Sequence, residues 1–305
     1  LLFDWCGGFG AADRPHIIFS ISNSMAALLV GVLVGRGRLN PKDLVTDYLP
    51  ELAGSAYDGA RLRHLLDMQV ASGFSENYTD TDGIFMAYRR AAAWNPVEEG
   101  VETIGLRHFL TQMPKSDTAQ HGCMHHYCSP HSDVLGWVIE RAGNASFAKQ
   151  FSEHILAPCG GSHTGYITLD TYGAPRVSGG MCLSLYDLLL IGEMVRNRGH
   201  INKLQVVPSA WIDDITAVRD NSIWRAQHNA DGPRLFINGN YRSLWYQSGI
   251  ADQEICGIGI HGQWLWINPQ KELVIAKLAS HDSEVDTATD RVMLAAFRAI
   301  AEALN

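Results

Sequence analysis

The sequence predicts an α/β plus all-α fold, an antiparallel sheet flanked by helices with a helical lobe inserted into it. Three observations carry this. A serine-containing turn, Phe19 to Met25, opens an unbroken apolar run, Ala26 to Val34, with the length of a buried helix. The middle of the chain then breaks into amphipathic pieces at helical spacing. From about residue 235 the apolar period drops to two, the mark of strands, before a last helical segment closes the chain. On this pattern residues 1–31 and 200–305 form the sheet-bearing lobe and residues 32–199 the helical lobe.

Composition bounds the function. With 305 residues, 46% of them hydrophobic and 18% charged, the chain can bury a large core and is far from the disordered class. A formal net charge of −8 gives no reason to expect nucleic acid or an anionic membrane as partner. The run Ala26 to Val34 is far too short to span a bilayer, and no basic-then-apolar leader opens the chain. Six cysteines, Cys6, Cys123, Cys128, Cys159, Cys182 and Cys256, lack framework spacing and read as reduced thiols, hence a cytoplasmic setting.

Taken in order, the helix that follows Ser20 ends at Gly35-Arg36-Gly37, and Leu39 to Asp43 turns into the next segment. Asp47 to Leu52 and Leu62 to Met68 read as short helical pieces, and Ala71 to Tyr78 as a loop. Ala91 to Pro96 breaks a preceding helix, and Ile104 to Met113 forms another. A helix runs from Ser132 to about Arg141, and further helices are expected over 146–157 and 184–198. Ser243 to Tyr246, Ile255 to Ile267 and Leu273 to Leu278 read as antiparallel strands, with Asn268 to Lys271 the hairpin turn between the last two. Thr287 to Leu304 is the closing helix.

A serine at the start of a buried helix has a chemical meaning. The free N–H groups and the positive dipole end favour developing negative charge, so Ser20 is the candidate nucleophile. Three further stretches stand out: Asp47-Tyr48-Leu49-Pro50-Glu51, Tyr127-Cys128-Ser129-Pro130, and Gly257-Ile258-Gly259-Ile260-His261-Gly262-Gln263-Trp264. Glycines in the last let a strand's backbone come close to another chain or a ligand. Together, and in this order, they resemble the serine β-lactamase and penicillin-recognising superfamily. The resemblance is nearest to the branch of 6-aminohexanoate-dimer (nylon-oligomer) hydrolases and class C-like carboxylesterases.

That resemblance implies an acyl-serine hydrolase of amides or esters without a cofactor or metal, acting on a small molecule, with room for a homodimer. It implies Tyr127 in proton transfer, and the N–H groups of Ser20 and Ile260 as the oxyanion hole. Tyr78, His261 and Trp264 become substrate contacts. It also sets roughly a quarter of the family's length before the serine, against nineteen residues here, so the N-terminal part of the sheet is expected to be truncated. One position departs. Where the family has lysine, three residues after Ser20, stands Asn23, which can orient a hydroxyl but cannot serve as a base near neutral pH. The expected function is therefore a hydrolase possibly attenuated by Asn23, and its rival a silent binding protein or an inactivated variant of an amide hydrolase. β-Lactamase activity itself is disfavoured, because His261-Gly262 replaces Lys-Thr-Gly. A second Ser-x-x-Lys, Ser146 to Lys149, is read as a chance match inside a helix. The His121, Cys123, His125, His126 and Cys128 cluster is not taken as a metal site, because neighbouring residues of extended chain point to opposite faces.

Overall fold

A computed structural model describes residues 1–8, 10–96, 100, 102–228, 235–250 and 253–304. Apolar and small side chains on every side make α1 (Ile21–Gly35) a core helix, buried from Ile21 through Leu33. A short strand, β1 (His16–Ile17), leads into it. After it come α2 (Val45–Tyr48), a 3-10 turn at Pro50–Leu52, α3 (Leu62–Leu66), α4 (Ile84–Ala91), α5 (Leu106–Thr111), α6 (Ser129–Gly143) and α7 (Phe147–Phe151). A π-helical turn, Ser152–Leu156, continues α7. Then follow β2 (Tyr166–Ile167), β3 (Met181–Leu183) and α8 (Leu185–Arg196). The hairpin β4 (His200–Ile201) and β5 (Leu204–Gln205) precedes α9 (Ser209–Thr216) and α10 (Ser222–His228). The chain closes with β6 (Asn240–Arg242), β7 (Trp245–Gln247), β8 (Ile255–Gly259), β9 (Gln263–Asn268), β10 (Leu273–Lys277) and α11 (Thr287–Ala303).

The last five strands form one antiparallel sheet in the order β10-β9-β8-β7-β6. Its alternation sorts the two faces. A Cβ on Gly257 would meet Ser24 and Ile21 of α1, and one on Gly192 of α8 would meet Leu265, so that face is covered by α1 and α8. On the other face Trp264 and Trp266 pack against Phe297 of α11, with ring centroids 5.7 and 6.1 Å apart. A second, three-stranded sheet of order β1-β3-β2 ties the approach to α1 to the segment before α8. Among the described residues no helix is long and apolar enough to cross a membrane.

Several boundaries differ from the sequence reading, each for a physical reason. The expected strand Ile255 to Ile267 is a hairpin, folded at Ile260–Gly262. Ser243 and Leu244, read as strand, are the two-residue turn between β6 and β7, at φ 48° and 62°. No glycine or asparagine signals that turn. Tertiary contacts hold it instead: Ser243 N–H donates to Asp67, Leu244 N–H to the Leu66 carbonyl, and Ser24 Oγ to the Leu244 carbonyl. Helix α6 begins at Ser129 rather than Ser132, with Pro130 in its first turn, where a missing N–H costs nothing. Ser146 is the N-cap of α7, not a mid-helix residue, and accepts the N–H of Lys149.

Candidate active site

The site is built at the entry to α1. Phe19 stands at φ 44°, in the left-handed region, and turns the chain sharply from β1 into the helix. The N–H groups of Ile21, Ser22 and Asn23 bond back to the carbonyls of Ile18, Phe19 and Ser20, which tightens the first turn. Ser20 is the N-cap and its side chain accepts no capping bond, leaving the hydroxyl to other partners.

Beside it stands Tyr127, close enough for the Ser20 side chain to influence the titration of the phenol. Asn23, one turn on along the same helix face, donates its Nδ2 to the Tyr127 oxygen at 2.9 Å. A phenol has one proton and two lone pairs, and Asn23 occupies one lone pair, which leaves the other free to accept a proton and the O–H free to donate. Burial raises the Tyr127 pKa well above that of a free phenol, with the nearby Tyr246 and Glu76 adding to the rise. Ser20 and Asn23 oppose it. Tyr127 is therefore neutral at physiological pH. Asn23 is 1% exposed, and its Oδ1 has no hydrogen-bond partner among the described residues.

Tyr78 lies in the loop beside Tyr127. Its hydroxyl donates to Glu76 Oε1 at 2.7 Å, and its ring meets Phe85 edge-on. Glu76 also accepts the Ser129 N–H and hydroxyl at 2.7 and 2.8 Å, which anchors the loop on the first turn of α6. The Glu76 pKa is raised by burial, against these bonds.

The third stretch comes from β8. A Cβ on Gly259 would lie 2.6 Å from the Ile18 carbonyl oxygen, so only glycine lets β8 end against the turn that carries Ser20. Ile260 follows immediately. His261 takes φ 59°, donates its N–H to the Glu284 carbonyl, and packs its ring on Phe19 at 5.3 Å. Its Nδ1 lies 2.8 Å from the His281 carbonyl, which assigns the proton to that nitrogen. Gln263 braces the turn by donating Nε2 to the carbonyls of Ile260, His261 and Ala279.

The structure thus brings together Ser20, Asn23, Tyr127, Tyr78 and the Ile260–His261 turn. Trp264 does not join them. It is fully buried on the opposite face of the sheet, its ring on Phe297 and its Nε1 donating to Asp290. Strand alternation decides this, since Gln263 and Trp264 must face opposite ways. Tyr241 and Tyr246 were not singled out in the sequence. Tyr241 meets the Tyr127 ring edge-on and Tyr246 meets Tyr241, so they form the wall behind Tyr127. Their signal in the sequence is a plain strand pattern, which says nothing of a site. Among the described residues no group of three or more histidine, cysteine or acidic side chains is placed to hold a metal. His121 accepts the Ala71 N–H, His126 lies 2.7 Å from the Phe74 carbonyl, and His125 packs between Trp224 and Tyr241.

What this arrangement can do is acyl transfer: a hydroxyl at a helix N-terminus, a phenol beside it, and a backbone strand end alongside. Comparison with known proteins agrees. The beta-lactamase family model matches residues 11–299. The 6-aminohexanoate-dimer hydrolase of Paenarthrobacter ureafaciens is 32% identical over 273 residues, which are 90% of this chain and 68% of that protein. A Bacillus anthracis protein described as a 6-aminohexanoate-dimer hydrolase matches in structure with a TM-score of 0.85 at 21% identity, over 99% of this chain and 76% of its own. A D-stereospecific amidohydrolase from Streptomyces sp. gives 0.69 at 16% identity, over 95% of this chain and 88% of its own.

Proposed function

The chain belongs to the beta-lactamase family, on the branch of the 6-aminohexanoate-dimer hydrolases, and from that premise we propose that it is a serine hydrolase acting through an acyl-Ser20 intermediate on a small amide or ester. The observation that carries the reading is Ser20 at the N-terminus of a buried helix, beside Tyr127 and one turn before the Asn23 that hydrogen-bonds that phenol.

In this reading Ser20 Oγ attacks the carbonyl carbon while its proton passes to the Tyr127 oxygen. In the same movement the Tyr127 proton leaves for the departing nitrogen or oxygen. Such a relay never forms a free phenolate, which burial would make costly. Negative charge on the carbonyl oxygen falls to the N–H groups of Ser20 and Ile260. Water then attacks the acyl carbon and the relay returns the proton to Ser20. Asn23 holds the phenol in place and supplies no charge, so esters with good leaving groups are the preferred substrates. Tyr78 and His261 border the substrate. The six unpaired thiols support a cytoplasmic setting.

One observation favours a second reading, a silent fold kept for binding: no ionisable side chain stands at the lysine position, where a buried carboxamide is found. A fluorophosphonate serine probe with mass mapping separates the two. Stoichiometric labelling at Ser20, lost in Ser20→Ala, is expected. A folded protein that takes no label is the silent one.

A further inference from the structure

A cavity of about 250 Å³ lies between α7 with its π-helical turn and the short strands β2 and β3. Phe147, Phe151 and Leu156 line one side of it, and Ile167, Met181 and Leu183 the other. Ser20, Asn23 and Tyr127 take no part in its walls. Phe147 and Phe151 stand one helical turn apart with parallel rings, 9° between planes and 6.2 Å between centroids. Below them the Ala157 N–H bonds to the Ser152 carbonyl five residues back, and Ser152 and Leu156, the ends of this π-helical turn, both face the cavity. Such turns are rare and gather at functional sites.

His163 is the titratable group in the wall. Its Nδ1 lies 3.4 Å from Asp187 Oδ1, and 3.2 and 3.3 Å from the Ser162 and Ser184 hydroxyls. Asp187 is fully buried in the first turn of α8, and its Oδ2 has no hydrogen-bond partner among the described residues. The cap of α8 is complete without a histidine, since Ser184 Oγ accepts the Asp187 N–H at 3.0 Å. A carboxylate only accepts, so the imidazole proton is assigned to Nδ1 and a lone pair to Nε2 on the far edge of the ring. Nε2 makes no hydrogen bond among the described residues, and the side chain is 27% exposed, which leaves that edge open to a ligand.

Apolar, partly aromatic walls and one imidazole nitrogen fit one chemistry. We infer that this cavity is a second ligand site, taking a small phenol whose hydroxyl pairs with His163 Nε2. A hydroxyl donates to a neutral imidazole and accepts from an imidazolium, so the pairing holds in either state. A carboxylate would find only a lone pair on the neutral ring, with the buried Asp187 charge behind it. The volume stands near the lower end of ligand pockets, roughly 300–1,000 Å³, which suits a single substituted ring. The site stands whether or not Ser20 forms an acyl intermediate.

Titration calorimetry at neutral pH tests it with 4-ethylphenol, its methyl ether 4-ethylanisole, and 4-ethylbenzoate. The phenol is expected to bind, and the ether, which has no proton to give, to bind about three- to tenfold more weakly, the net worth of one hydrogen bond. His163→Leu should bring the phenol down to the level of the ether and leave the ether unchanged. Ala148→Trp, at an exposed position of α7 on the cavity wall, should abolish binding of both. Ser20→Ala should change none of these affinities. A phenol that fails to bind, or binds no better than its ether or less tightly than the benzoate, overturns the assignment. So does a folded His163→Leu or Ala148→Trp, checked by circular dichroism, that binds the phenol as the wild type does. Loss of binding in Ser20→Ala would place the phenol in the serine cleft and overturn it too. If His163→Leu does not fold, the gap between phenol and ether together with Ala148→Trp decides.

Discussion

Asn23 is the residue on which activity turns. Its carboxamide donates to Tyr127 but leaves its own Oδ1 buried and unpartnered among the described residues. A lysine there would bring an ammonium to the same phenol, stabilising negative charge on it and offering a base when deprotonated. Asn23→Lys is expected to raise acylation of Ser20 by p-nitrophenyl butyrate roughly 10²–10⁴-fold, the span of a positioned acid–base group. Stopped-flow release of p-nitrophenol reads it directly. A folded Asn23→Lys with flat acylation, beside a Ser20→Ala that loses it, would mean that the neutral relay is sufficient. Ser20, Asn23 and Tyr127 were legible in the sequence because each sits in a local pattern: a helix start, a three-residue spacing, a residue just before a helix. Tyr241 was not. Its meaning lies in what it meets, the Tyr127 ring more than a hundred residues earlier in the chain, and no local pattern encodes that meeting.

At the scale of single elements, two features can be tested. Strand β8 reaches the serine turn only because Gly259 has no side chain. Gly259 itself is extended, φ −124° and ψ 148°, so alanine is allowed by the backbone and excluded only by the Ile18 carbonyl. Gly259→Ala should cost about 10²-fold in kcat/KM by shifting the Ile260 peptide, with little change in far-UV circular dichroism. An unchanged rate would show that the Ile260 peptide has no part in the reaction.

Helix α6 carries two buried titrations of opposite sign. Burial lowers His131 from 6.5 to about 3, so its contribution is present above 6.5 and is lost as pH falls toward the folded value. Burial raises Asp133 from 3.8 to about 6, so its contribution is full below 3.8 and is lost as pH rises through the folded value. Between these limits acidification weakens the fold through His131 and strengthens it through Asp133. Asp133→Asn removes the compensation. Its urea midpoint should fall more steeply than the wild type's from about pH 6.5 to 4. Parallel curves would deny the offset.

Across the whole molecule, the two faces of the five-stranded sheet have separate duties. One packs on α1 and the serine, the other on α11 through Trp264, Trp266 and Phe297. Phe297, 5% exposed, is far from the chemistry but central to that second layer. Phe297→Ala should cost about 3–5 kcal/mol in urea unfolding while the surviving native enzyme keeps its kcat. A lowered kcat at full folding would show that the layers are coupled. The stretch of β8 to β10 was legible because those strands run for five or six residues, against three each in β6 and β7, and α11 because its apolar stripe runs for four turns. The three-stranded sheet was not, since strands as short as His16–Ile17 and Tyr166–Ile167 hold no period to read. Trp264 shows the converse error: a residue next to a motif, turned away from it by the pleat.

Phe19 has a consequence for anyone who would redesign this protein. At φ 44° a bulky side chain is strained, and Phe19→Gly would relieve something on the order of 1 kcal/mol. A screen that rewards melting temperature would still reject it, because the ring is 9% exposed and its loss costs about 3–5 kcal/mol. The same change deletes the ring that meets both Trp94 and His261, and frees the turn on which Ser20 is presented. Durability and turnover therefore lean on the same ring, whose packing holds the serine turn in a conformation its own backbone disfavours.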